Sequence, residues 1–158
     1  DGGVGWRNDI TPHLVTRGYR IYNPVIDQPK ATGISSTILK EQLAELDLYQ
    51  ESCGKIVWTD LMALCNAQVV VAKLDKHLSA GSYGELTVAR LKGIPVFAWI
   101  DLPDGLKSLP AWAVGCIDHY SLHKLDFYKL IPTAEALGGR SNQLGLPFYE
   151  TANWLGSW

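Results

Sequence analysis

The chain has 158 residues, 47% of them hydrophobic and 19% charged, with a formal net charge of −2. That length suits one core, the hydrophobic share excludes intrinsic disorder, and the near-neutral balance (pI about 6.1) carries no electrostatic footprint for nucleic acid. Apolar runs such as residues 94–100 fall far short of the roughly 18 residues a membrane span needs, so a soluble domain is expected.

The chain begins at Asp1-Gly2-Gly3, with neither a methionine nor a secretory signal, as a processed or truncated form would. Residues 6–18 read as a helix closed by Gly18, and Pro12 suits it only if the helix proper starts near Ile10. Residues 19–23 read as a short strand stopped by Pro24. Over residues 35–52, Ile38, Leu39, Leu43, Leu46 and Tyr49 recur at the helical period, and Gly54 ends the run. A second short helix is expected over residues 59–66. Residues 67–74 hold Val69-Val70-Val71-Ala72, a continuous run of the kind buried on both faces of a parallel sheet.

Residues 81–92 form the next expected helix, closed by Gly93, and residues 95–100 (PVFAWI) the next buried strand. A last short strand is expected over 116–120. A final helix over 122–137 is interrupted near Pro132. Strands separated by helices imply parallel pairing with helices on both faces. One domain spans residues 1–158; its tail, 138–158, carries Phe148, Tyr149, Trp154 and Trp158 and is expected to pack on that domain or on a partner. Cys53, Cys65 and Cys116 are an odd set without a C-x-x-C pair, which favours a reducing, cytoplasmic compartment.

In parallel sheets ligands lie beyond the carboxyl ends of the strands, at helix N-termini. The richest such place follows the VVVA strand, where Ser79-Ala80-Gly81-Ser82 lets backbone amides approach an anion at the start of a helix. Glu85 stands in the first turn of that helix. It reads either as the partner of Ser82 in an S-x-x-E capping box or as a carboxylate beside a bound ligand. Asp60, after Thr59, is either a first-turn acid or a second functional carboxylate. Asp101 and Asp104 fit substrate contact or turns around Pro103. His119, His123 and His77 do not compel a metal site, and neither a nucleophile elbow nor a phosphate-binding GK[ST] loop occurs.

Asp60-Leu61, Asn66 to Ala72, Ser79 to Leu86, Ala89 and Gly93 to Val96 together resemble the nucleoside 2-deoxyribosyltransferase-like superfamily, which includes the 2′-deoxynucleoside 5′-monophosphate N-hydrolases. The likeness extends to Gly5-Trp6-Arg7, Leu14, Gly18-Tyr19 and Asn23-Pro24, and Gln68 departs from the usual aspartate. It implies a flavodoxin-like, Rossmann-like doubly wound parallel sheet in three αβα layers. It also implies that Glu85 is the nucleophile at the anomeric carbon and that Asp60 is the acid near the nucleobase. Ser79 stands where the monophosphate hydrolases carry a serine for the 5′-phosphate; Gly81, Ser82, Arg7 and Trp6 complete that expected subsite.

The family's first strand, with a tyrosine that orients the nucleophile, would precede Asp1, leaving residues 1–5 as the remnant of a glycine-rich loop. The resemblance thus predicts cleavage of an N-glycosidic bond, by hydrolysis or base transfer, without cofactor or metal. It predicts a cytoplasmic homodimer or larger homo-oligomer acting on a small nucleoside or nucleotide. The alternative is a nucleotide-binding or sensing domain that keeps the fold without turnover.

Overall fold

The computed structural model describes residues 4–138; Asp1, Gly2 and Gly3, and the tail bearing Phe148, Tyr149, Trp154 and Trp158, lie outside the described residues. The helices are α1 (Val4–Thr16), α2 (Pro24–Thr32), α3 (Ser36–Gln42), α4 (Leu46–Cys65), α5 (Ala80–Lys92), α6 (Ala111–Gly115), α7 (Lys124–Leu130) and α8 (Ala134–Gly138). The strands are β1 (Val70–Leu74), β2 (Val96–Ile100) and β3 (His119–Ser121). They form a parallel sheet in the order β1-β2-β3, with Val70 opposite Val96, Leu74 opposite Ile100 and Phe97 opposite His119.

Side chains alternate across a strand, and β2 uses both sides. Val96, Ala98 and Ile100 join Leu74 in a cluster with Leu86 and Ala89 of α5 and Ala113 of α6. Phe97 enters a second cluster with Ile10 and Leu14 of α1 and Phe127 and Tyr128 of α7. The molecule is therefore a mixed α/β structure with helices on both faces of its sheet. Phe127 is fully buried, and truncating such a phenylalanine to alanine costs about 3–5 kcal/mol. Among the described residues, no helix is long and apolar enough to cross a membrane.

In PVFAWI, Val96, Phe97, Ala98 and Ile100 are buried and Trp99 is half-buried, but β1 is not covered on both faces. Val70 to Lys73 are half-buried and only Leu74 is buried, because β1 is an edge strand among the described residues. The strand expected over 19–23 does not form, since no described strand lies beside it to complete a ladder. Other contacts hold this segment. The Tyr19 hydroxyl donates to the Pro132 carbonyl at 2.9 Å, and the Ala134 amide donates to the Arg17 carbonyl at 2.9 Å. Asn23 is the buried cap of α2: its side chain accepts from the Val25 amide at 3.2 Å and its own amide donates to Asp27 at 2.7 Å. Pro24 therefore opens a helix, where its missing amide is harmless, and does not merely close a strand.

The helix expected over 35–52 is two helices. The chain breaks between α3 and α4, where Glu45 adopts φ −122°, ψ 85°. Helix α4 then runs through Gly54 and takes in the separate helix expected over 59–66; a mid-helix glycine costs only about 1 kcal/mol relative to alanine. Helix α1 likewise starts at Val4, well ahead of Pro12. Pro12 and Asn8, whose carbonyl loses its helical amide, are both exposed, where a missing helical bond costs least. The last strand starts at His119, and Cys116 is the buried end of α6. Gly105 opens a short 3-10 turn (Gly105–Ser108) at φ +56°, where a Cβ would lie 2.9 Å from Leu122. The interruption at Pro132 stands, between α7 and α8.

Candidate functional site

Helix α5 leaves the carboxyl end of β1, and its first turn is built by serines. Ser79 is the N-cap, with φ −94° and ψ 165°, and its Oγ accepts from the Ser82 amide at 3.2 Å. The Ser79 and Ser82 hydroxyls lie 3.2 Å apart, and either can donate to the other. This overturns the capping-box reading. The cap is Ser79 and not Ser82, the helix starts at Ala80, and Glu85 lies in the second turn, beyond reach of the orphan amides. Gly81 and Ser82 stand four and three residues before Glu85, on its face of the helix. Helical side chains lean toward the N-terminus, so the Glu85 carboxylate points over a small residue and a bare backbone.

Asp60 is not a first-turn acid either. It sits in the interior of α4, and Thr59 donates its hydroxyl to the Lys55 carbonyl at 2.8 Å, an intrahelical bond and not a cap. Glu85 lies within electrostatic reach of both Asp60 and Arg7. Burial first, and then the negative charge of Asp60, push the half-buried Glu85 carboxyl above its ordinary range, while Arg7 pulls it back. Burial lowers the Arg7 guanidinium in turn, opposed by Glu85. Trp6 packs into the core cluster between the sheet and α1, and the Arg7 guanidinium lies 5.1 Å from the centre of its ring.

Sequence reasoning missed Tyr22. Its hydroxyl donates to Asp60 Oδ1 at 2.7 Å, joining the segment before α2 to α4. Burial, then the hydrogen bond to Asp60 and the charges of Asp60, Asp27 and Glu85, raise its phenol well above the ordinary tyrosine range. The signal was in the alternation of residues 19–23: Tyr19 and Ile21 pack into the core cluster, and Tyr22 is exposed between Ile21 and the buried cap Asn23.

The loops after β1 and β2 are tied by Lys73. Its ammonium meets Asp101 at 2.8 Å and Asp75 at 3.2 Å and lies 4.9 Å from the Trp99 ring centre. Burial would raise the Asp75 carboxyl, but the His77 amide and Lys73 outweigh it and hold it low. A shallow groove of about 230 Å³ runs between residues 73–77 and 101–103. Asp101 is thereby an ion-pair partner, and Asp104 precedes the 3-10 turn. His119 stacks on Phe97 at 4.7 Å, and among the described residues no group of three His, Cys, Asp or Glu side chains could hold a metal. The structure thus gathers Glu85, Asp60, Arg7 and Tyr22, with Ser79, Gly81 and Ser82 one turn earlier on α5.

Comparison of the chain with protein-family models, with curated proteins and with solved structures finds no match. Function is therefore read from these side chains and from the motif they compose.

Proposed function

We propose that the chain is a flavodoxin-like, doubly wound αβα enzyme that cleaves the N-glycosidic bond of a 2′-deoxynucleoside or its 5′-monophosphate through a covalent ester on Glu85. One observation carries this reading: a half-buried glutamate with no capping duty shares its surroundings with Asp60 and Arg7 at the carboxyl end of a parallel strand.

In the first step a Glu85 oxygen bonds to the anomeric carbon as the carbon–nitrogen bond breaks. The bonding pair leaves with the base, which Asp60 protonates directly or by relay. Water, giving a proton back to Asp60, then attacks the same carbon, releasing the sugar and returning Glu85 as a carboxylate; a second base that gives its proton to Asp60 in place of water gives transfer. In this reading the Ser79 and Ser82 hydroxyls, the amides around Gly81 and the Arg7 guanidinium are the groups that would receive a 5′-phosphate. The steps need neither cofactor nor metal. The same reading takes the protein as cytoplasmic, working as a homodimer or larger homo-oligomer on a small nucleoside or nucleotide.

The test is base release, followed by chromatography after incubation with paired deoxynucleosides and deoxynucleoside monophosphates. The chain should release free base, with kcat/KM at least about tenfold higher for the monophosphate, the value of one charge-assisted contact. Glu85→Gln should lose about a thousandfold or more in turnover while still binding substrate. Near-normal turnover in that variant sinks the covalent mechanism. Nucleotide binding without base release by the unaltered chain overturns the enzyme reading in favour of a sensing domain.

A further inference from the structure

We propose that Tyr22 is the positioning residue of Asp60, its hydroxyl fixing one carboxylate oxygen so that the other is the one left to serve the departing base. This rests on the glycosidase reading for its catalytic consequence, and on geometry for the rest. The 2.7 Å hydrogen bond to Oδ1 spans 38 residues of chain and joins two elements that otherwise approach through packing of α2 on α4. Among the described residues, Asp60 Oδ2 takes part in no other hydrogen bond.

Tyr22 belongs to neither core cluster and is 38% exposed, so packing does not account for its place. Three carboxylates face it: Asp60 from α4, Asp27 from α2 and Glu85 from α5. Burial and these neighbouring carboxyl groups keep the phenol protonated through the working pH range, which makes it a constant donor and never a competing base, whichever oxygen of Asp60 carries the acid's proton. A carboxylate on a long helix rotates freely about its last bond unless something holds one oxygen. Tyr22 holds it.

A double-mutant cycle tests the catalytic part. Tyr22→Phe keeps the ring and removes the hydroxyl, so its melting temperature should match that of the unaltered chain. Its kcat for base release should fall about ten- to a hundredfold, the worth of one hydrogen bond to a charged group, with KM changed less than twofold. In an Asp60→Asn background, Tyr22→Phe should cost less than twofold more. Multiplicative losses in that background, or unchanged kcat in the single variant, overturn the proposal.

The second arm needs no activity. Carbon-13 labelling of tyrosine rings, with Tyr22 assigned by its loss in Tyr22→Phe, follows its ionisation. The Tyr22 signal should titrate above the other exposed tyrosines and shift downward by one pH unit or more in Asp60→Asn. A midpoint unmoved by that substitution overturns the proposal even if the chain releases base. Absence of base release from the unaltered chain, with the Tyr22 midpoint moving as stated, would instead reject the glycosidase reading and retain the Tyr22–Asp60 pair.

Discussion

Burial and the negative charge of Asp60 both push the Glu85 carboxyl above its ordinary range, and Arg7 only partly offsets them. A raised value in the fold means that the folded state holds this proton more tightly than the unfolded chain does. The stabilising contribution is therefore full below the ordinary glutamate range and is lost as pH rises through the raised folded value. At pH 7 the protein carries a charge that its surroundings disfavour. Glu85→Gln removes that charge, so the variant should melt higher than the unaltered protein at pH 7, by about 2–5 °C. The gap should close as pH falls below about 4, where both states of the natural glutamate are protonated. Calorimetry at the two pH values checks this, and a lower melting temperature at pH 7 would mean that Glu85 and Arg7 form a net stabilising pair. The substitution that removes activity would then strengthen the fold, the trade-off expected of a carboxylate placed for chemistry.

At the scale of one helix, Ser79 has two duties that a single substitution separates. As N-cap of α5 it accepts from the Ser82 amide, and aspartate performs that task as well as serine and suits the helix dipole. As a phosphate contact, aspartate would repel the ligand. Ser79→Asp should leave the melting temperature within about 2 °C while lowering kcat/KM for the monophosphate about tenfold or more and sparing the nucleoside. Equal losses on both substrates would make Ser79 a cap alone. Elements whose pattern and punctuation agree were legible in the sequence: β2 through its apolar run, and α5 through Gly93, which closes it at φ 66°. The break before α4 was not, because no proline or glycine marks residues 43–45 and the apolar period continues across it. Nor was α2, because Asn23-Pro24 ends an extended segment as naturally as it caps a helix. The resemblance put Glu85, Asp60 and Arg7 in one expected site. Their spacing alone did not, since they stand on three separate helices, and the direct packing of α4 on α5 carries no local signal in the sequence.

Across the whole molecule, the sheet is asymmetric in a way that solution measurements can read. The Val70 amide donates to the Pro95 carbonyl at 2.9 Å and the Leu74 carbonyl accepts from the Asp101 amide at 2.9 Å, so even-numbered residues of β1 turn their backbone groups toward β2. Val71 and Lys73 therefore turn theirs outward, and among the described residues no backbone hydrogen bond reaches them. Their side chains are partly covered all the same: Val71 packs against the cluster that holds Tyr19 and Phe97, and Lys73 is held by Asp75 and Asp101. The edge is thus partly covered, yet among the described residues its outward amides meet no partner, which is the condition under which an extended segment adds to a sheet. Native-state hydrogen exchange should find the Val70, Ala72 and Leu74 amides protected to nearly the global stability, and those of Val71 and Lys73 exchanging at least about a hundredfold faster. Dilution should leave the pattern unchanged. Protection of Val71 and Lys73 equal to that of Ala72 would mean that a strand lies along this edge. Its loss on dilution would assign that strand to a second copy, and its persistence would assign it to the same chain.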